Sequence, residues 1–188
     1  MSGKIIAIAA STGGVEAVEE VIARFPLTIP PVVLVIHMPP GFTKLFAARL
    51  DKKVAIKVKE AETGDLLKPG QILVAPSGKH MKLARKGSQL ITECFVGPKV
   101  QFVIPSADVL FESVASIQQR NAIGVILTGM GADGADGMMM MRKNGAINIG
   151  QDKDSCTVYG MPKVAYERGA IHHVLPLGKI ADKILTLL

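Results

Sequence analysis

The chain is predicted to be an α/β protein: a doubly wound, mostly parallel sheet with helices on both faces. Three observations carry that reading. Continuous apolar runs occur at residues 5–10, 32–36 and 123–127, the pattern of strands buried on both sides. Segments with apolar residues at helical spacing lie between them. The runs give way to turns rich in Gly or Pro, as strand-to-helix connections in a parallel sheet require.

Ile5-Ile6-Ala7-Ile8-Ala9-Ala10 is the first strand, followed by Ser11-Thr12-Gly13-Gly14. Val15, Val18, Val21, Ile22 and Phe25 then recur at helical spacing, and Pro26 and Pro30-Pro31 close that helix and its loop. Val32-Val33-Leu34-Val35-Ile36, rich in β-branched residues, is the second buried strand. It runs into His37-Met38-Pro39-Pro40-Gly41 and a helix through Phe42, Leu45, Phe46 and Leu50, with Thr43 offered as its cap. Residues 54–59 alternate weakly as a third strand.

From about 60 to 104 the texture changes. Short apolar runs at 72–75, 80–84, 89–92 and 100–104 are separated by Gly70, Pro76-Ser77-Gly78, Lys86-Gly87 and Gly97-Pro98. This spacing predicts an antiparallel hairpin extension over about 70–104, at one edge of the sheet. A helix through Val109, Leu110, Val114 and Ile117 follows, with Ser106 as N-cap and Asp108 in its first turn. Ile123-Gly124-Val125-Ile126-Leu127 is the next buried strand. Thr128-Gly129-Met130-Gly131-Ala132-Asp133-Gly134 forms a long turn before a helix reaching about Asn144, in which Met138 to Met141 fill core. Strands at 146–149 and 170–174, a helix after Pro162 and a last helix through Ile180, Ile184 and Leu188 complete the chain.

Composition bounds the function. A chain of 188 residues, 48% hydrophobic, fits one domain over residues 1–188 with a full core. The net charge of +6 suits an acidic partner surface, although cations spread over a solvated exterior account for it equally. With 4% aromatics and no Trp there is no stacking platform for single-stranded nucleic acid, and no Lys/Arg block forms a phosphate stripe. No nucleic-acid partner is expected. Cys94 and Cys156 read as free thiols of a reducing cytosol. No run has the length of a membrane span and the N-terminus lacks a signal peptide's core. A cytoplasmic monomer without cofactor is expected, and no His/Cys/Asp spacing predicts a metal.

The chemistry-bearing residues converge. Ser11 and His37 follow the first two buried strands, and Asp133 lies in the turn after the later one. Carboxyl ends of parallel strands share one edge, where open α/β sheets bind ligands. Serine, imidazole and carboxylate are a nucleophile, its base and the group that orients the base. Amides after Ser11 would lie at a helix N-terminus, where negative charge is favoured. Each residue also has a plainer use. Ser11 can cap a helix, His37 can make a structural hydrogen bond before the Pro-Pro turn, and Asp133 can cap the helix starting at Gly134. Singly these uses are as good or better; three such residues together at strand ends favour a triad. His80, His172 and His173 occupy less telling settings. A phosphate- or nucleotide-binding module without catalysis is the alternative, disfavoured because G-x-G-x-x-G and a Walker lysine are missing.

Several turns resemble those of the chemotaxis methylesterase family, CheB. They are Ala10-Ser11-Thr12-Gly13-Gly14, His37-Met38-Pro39-Pro40-Gly41-Phe42-Thr43 and Gly129-Met130-Gly131-Ala132-Asp133-Gly134. Ala75-Pro76-Ser77-Gly78-Lys79-His80, Pro105-Ser106-Ala107-Asp108-Val109-Leu110-Phe111 and Ser155-Cys156-Thr157-Val158-Tyr159-Gly160-Met161-Pro162 fit less closely. The resemblance runs in order from about Lys4 to the C-terminus and covers the family's catalytic domain, without the receiver domain that usually precedes it. It implies that Ser11 is the nucleophile, His37 the general base and Asp133 its partner, with the backbone amides of Thr12 and Met130 binding the oxyanion. It implies as substrate a glutamyl γ-methyl ester on the helical cytoplasmic bundle of a chemoreceptor, with glutamine deamidation as a second activity. Ile36 stands where relatives often have Gln, and Ala9 where Gly is common. The order Ser…His…Asp differs from that of the α/β-hydrolases. The substrate being a protein side chain, the cleft should be open, with the hairpin extension and the Phe42-Thr43-Lys44 helix start at its rim.

Overall fold

The computed structural model of the chain describes residues 3–188. Its centre is strand β1 (Ile5–Ala10), all six residues of which are buried. Because successive side chains of a strand point to opposite faces, Ile6, Ile8 and Ala10 enter one apolar cluster and Ile5, Ala7 and Ala9 another. Both faces of the strand are therefore covered, which is why its sequence is apolar throughout rather than alternating.

Strand β2 (Val32–Ile36) pairs with β1 on one side, β4 (Gln71–Val74) follows, and β3 (Lys57–Glu60) forms that edge. On the other side β1 pairs with β7 (Ala122–Ile126), then β8 (Ile147–Gln151), then β9 (His173–Leu175). All seven strands of this sheet are parallel. The order β3-β4-β2-β1-β7-β8-β9 reverses direction between β1 and β7, so the switch-point crevice opens at the carboxyl ends of those two strands.

Helices α1 (Gly14–Ile22), α2 (Phe42–Lys53) and α6 (Leu177–Thr186) cover one face, inserting residues such as Val18, Leu50 and Ile184. Helices α3 (Ala107–Gln118), α4 (Ala135–Lys143) and α5 (Met161–Glu167) cover the other through Phe111, Met138 and Ala165. Each large side chain so buried contributes about 1.5–3 kcal/mol of transfer free energy before conformational entropy is set against it. Within Met138 to Met141 the core-filling reading holds for Met138 and Met141, which are buried; Met140 is exposed.

The 70–104 segment differs from the expected extension. Residues 71–74 are not part of a hairpin: they are β4, a parallel strand of the main sheet between β2 and β3. Its run Ile72-Leu73-Val74 is buried on both faces, which is the parallel-strand signature, and length alone did not separate it from its neighbours. The antiparallel pair is β5 (His80–Lys86) with β6 (Gln89–Phe95), a separate two-stranded sheet closed by a tight turn at Gly87, φ 62°. Met81 and Leu83 of β5 join the α3-side core. Residues 100–104 form no strand; Val100 and Val103 bond to each other across a turn.

Candidate active site

Three loops leave the carboxyl ends of β1, β2 and β7, and each enters its helix through a glycine with left-handed backbone: Gly13 (φ 76°), Gly41 (φ 84°) and Gly134 (φ 91°). Glycine adopts this conformation without a Cβ clash. None of the three helices has a side-chain cap. Ser11 is thus not spent on α1, nor Asp133 on α4. Thr43, the expected cap of α2, instead lies inside that helix, buried, with its hydroxyl on Glu60 at 2.5 Å.

Register sets the first two residues side by side. Ala10 is paired with Ile36, and the His37 amide donates to Ala10 O at 3.1 Å, so Ser11 and His37 are neighbours one step past the ladder. Ser11 is half-buried; its amide donates to Thr128 O (3.0 Å) and its carbonyl accepts from Gly14 N–H (2.7 Å). Among the described residues the Ser11 hydroxyl has no hydrogen-bond partner within 3.5 Å, the His37 ring included. Gly129 lies directly beneath it: a Cβ there would stand 2.7 Å from Ser11 Cβ and would also collide with Met161 Sδ.

The imidazole and the carboxylate do meet. His37 Nε2 lies 2.8 Å from Asp133 Oδ2. Asp133 is 2% exposed and accepts from three further donors: Ser106 Oγ (2.6 Å) and Asp108 N–H (3.1 Å) on Oδ1, and Ala107 N–H (2.6 Å) on Oδ2. The carboxylate therefore caps α3, a helix far from it in sequence, and sits where the first free amides and the helix dipole favour an anion. Burial acts to raise its pKa, but the bonds from His37, Ser106 and Ala107 more than offset this and hold it below the ordinary carboxylate value. An ionised Asp133 only accepts, so Nε2 carries the ring proton and Nδ1 is the open acceptor of the neutral imidazole.

Ser106 occupies the N-cap position expected of it, but its hydroxyl makes no cap and goes to Asp133. Its amide donates to Nδ1 of buried His80 (3.2 Å), whose Nε2–H donates to Pro98 O (2.8 Å). His80, which looked uninformative in the sequence, thus ties the hairpin and its following loop to the Asp133 cradle. Its place in a motif shared with Pro76 to Lys79 was the only signal. The pair His172-His173 lies away from this centre, with His172 Nδ1 accepting from Asn148 N–H.

Thr12 and Met130 are exposed. Among the described residues neither amide donates to a protein acceptor. Both peptides are nevertheless fixed from their carbonyl ends. Ser11 O is held by Gly14 N–H; Gly129 O is held by Met161 N–H (2.8 Å) and Gly160 N–H (3.2 Å). In a trans peptide the N–H points opposite to the C=O, so the Thr12 and Met130 N–H vectors are set by bonds made elsewhere.

A cleft of about 430 Å³ adjoins His37, walled by Met38, Pro39, Phe102, Val103 and Lys99. Phe102 is 91% and Met130 75% exposed. Ile36 is buried in the cluster beneath α1 and α2, so this position brings no polar group to the ring. Burial raises the Cys94 and Cys156 thiols to about 11, which leaves neither a nucleophile near neutral pH. Among the described residues no His, Cys, Asp and Glu side chains are grouped as a metal ion requires.

Residues 6–184 match the family model described as CheB methylesterase. The chain belongs to the CheB methylesterase family. It is 54% identical over 185 residues to the protein-glutamate methylesterase/protein-glutamine glutaminase of Syntrophotalea carbinolica, covering 98% of this chain and 52% of that protein. The protein of the same name from Salmonella typhimurium is 50% identical over 98% of this chain and 53% of its own length. The chain thus spans about half the length of these CheB relatives. The crystal structure of the Thermotoga maritima CheB methylesterase catalytic domain superimposes with a TM-score of 0.97 at 40% identity, covering all of both chains.

Proposed function

We propose that this chain is a serine esterase that hydrolyses glutamyl γ-methyl esters on the cytoplasmic helical bundle of a chemoreceptor. Ser11 is its nucleophile, His37 its general base and Asp133 the group that orients the base. The observation that carries this reading is the bond between His37 Nε2 and Asp133 Oδ2, which engages one ring nitrogen and leaves the other, Nδ1, as the nitrogen for Ser11 at the neighbouring strand end. Rotation of the hydroxyl toward Nδ1 on substrate binding completes the relay; such contacts are often open in unliganded sites.

In acylation, Nδ1 takes the Ser11 proton as Oγ attacks the ester carbonyl. The resulting oxyanion accepts from the Thr12 and Met130 amides, each donor contributing on the order of 2.7–4 kcal/mol in comparable sites. The C–O bond to the methoxy group then breaks, and the Nδ1 proton leaves with it as methanol. Water, deprotonated by Nδ1, attacks the γ-glutamyl-Ser11 ester; Ser11 regains its proton and a carboxylate is released. A glutamine side chain follows the same course with ammonia as the leaving group. The two activities in the relatives' name support this second use.

The substrate is a residue on a protein surface, and the open apolar cleft with Lys99 on its wall fits an acidic, helical partner. Chemoreceptor bundles of this kind lie in the cytoplasm, which is where the chain would act. Among the described residues no helix is long and apolar enough to cross a membrane.

Incubation with a serine-directed fluorophosphonate followed by mass measurement tests the reading. One stoichiometric adduct on Ser11 is expected, with methanol released from a methylated receptor by the wild type and not by Ser11→Ala. Turnover retained by a folded Ser11→Ala protein would remove Ser11 from its role. An unlabelled wild type would favour the phosphate-binding alternative.

A further inference from the structure

We infer that Thr128 is a positioning residue that aligns both oxyanion amides, an assignment that rests on the roles proposed above for Ser11, Thr12 and Met130. Thr128 is 1% exposed and every polar group it has is engaged. Its amide donates to Gln151 Oε1 (2.7 Å) and its carbonyl accepts from Ser11 N–H (3.0 Å). Its hydroxyl accepts from Val158 N–H (2.9 Å) and donates to Thr12 O (2.9 Å). A hydroxyl has one proton. The other acceptors near it are Val158 O, longer at 3.3 Å, and the Cys156 thiol.

This residue joins three loops at the site. Its carbonyl and hydroxyl grip consecutive residues of the nucleophile turn, one on each side of the Ser11–Thr12 peptide that carries the first oxyanion donor. With Ser11 O tied to Gly14 N–H, the Thr12 backbone is held at both of its flanking peptides. On the other side Thr128 leads into Gly129, whose amide donates to Val158 O (3.1 Å) and whose carbonyl is fixed by Gly160 and Met161. That second peptide carries the Met130 amide. The Thr128 hydroxyl is thus the side-chain link between the turn bearing one donor and the Val158 loop that clamps the other. Valine at this position would match the shape and fill the same volume, but would leave Thr12 O and Val158 N–H without this partner. Donor misplacement of a fraction of an ångström acts on the transition state more than on the bound ester.

The test uses Thr128→Val, Thr128→Ser and Thr128→Ala in this chain, with a chromogenic ester and the fluorophosphonate as probes. Deleting one oxyanion donor outright costs about 10²–10³-fold in kcat. A loosened pair should therefore cost about 10- to 100-fold, with KM within about twofold. The phosphonylation rate of Ser11 should fall in parallel, because the phosphoryl oxygen uses the same donors. Thr128→Ser, which restores the hydroxyl, should recover kcat to within about threefold of wild type. The assignment is overturned if Thr128→Val keeps wild-type kcat, if its loss falls on KM alone, or if Thr128→Ser is as slow as Thr128→Val. Should Thr128→Val not fold, Thr128→Ala against Thr128→Ser makes the same comparison. A wild type that takes no label on Ser11 overturns the nucleophile reading and this assignment with it. A labelled wild type beside an unimpaired Thr128→Val overturns this assignment alone.

Discussion

His37 Nε2 and Asp133 Oδ2, 96 residues apart in the chain, lie 2.8 Å apart at the rim of the sheet. The same carboxylate accepts the Ala107 and Asp108 amides at the start of α3. One side chain therefore both orients the imidazole and closes a helix. Asp133→Asn should separate these uses: the amide still accepts at one atom but cannot hold Nε2–H as an anion does. A loss on the order of 10⁴ in kcat is expected from the mis-set tautomer. Loss of capping should cost only about 0.5–2 kcal/mol of stability. Methanol release and thermal unfolding measured on the same preparation check the two; a large drop in melting temperature with little loss of rate would leave Asp133 a capping residue only.

Among the described residues Ser106 supplies the one side-chain donor in the cradle apart from His37. Ser106→Ala leaves Oδ1 with the longer Asp108 bond alone, at 3.1 Å. A bond to a charged, buried acceptor is worth about 1.5–3 kcal/mol. Both stability and kcat should fall, the rate by roughly tenfold, because the imidazole is held by a carboxylate that has lost part of its own support. Equal kcat for the two proteins would show that the backbone amides suffice.

Two buried carboxylates at the start of α3 should respond to pH with opposite signs. Asp133 has a lowered pKa, so its contribution is present above the unfolded value and is lost as pH falls through the folded one. Asp108 is raised to about 6, first by burial and then by the neighbouring carboxylates of Asp133, Asp136 and Glu112, against the lowering effect of the Gly137 amide. Between about 4 and 6 the folded state holds a proton that the unfolded chain has released, so this group's contribution falls as pH rises. Asp108→Asn should therefore raise the melting temperature at pH 8 by several degrees relative to wild type and do little at pH 4. Melting curves of both proteins across that range check the sign.

Gly129 is the floor under Ser11, the proposed nucleophile. A Cβ there would lie 2.7 Å from Ser11 Cβ and 3.0 Å from Ser11 N. Met161 is buried in the core and only its thioether end would have to shift, whereas the Ser11 backbone cannot move without disturbing both its bond to Thr128 and the proposed oxyanion donors. Gly129→Ala should stay folded yet lose roughly 100-fold or more in kcat. The fluorophosphonate labelling rate, read beside circular dichroism, distinguishes a displaced Ser11 from a collapsed fold.

The rate should also fall toward acid pH, because a protonated Nδ1 cannot accept the Ser11 proton. A flat profile of kcat/KM down to strongly acid pH would count against His37 as the base.

Much of this protein was written in local pattern. Runs without alternation at 5–10, 32–36 and 123–127 marked strands covered on both sides, and the Gly- and Pro-rich turns after them marked where Ser11, His37 and Asp133 emerge. Strand period and turn chemistry act over a few residues, so a single sequence records them. Only tertiary structure decided the rest. It put β4 into the parallel sheet and left β5 and β6 as a pair of their own, since a short apolar run does not name its neighbour. It turned Ser106 from a cap into a donor and made Asp133 the cap of a helix 26 residues upstream. It also chose Nε2 over Nδ1 for the carboxylate. Hydrogen bonds between loops depend on how the finished sheet brings strand ends together, and no spacing along the chain encodes that distance.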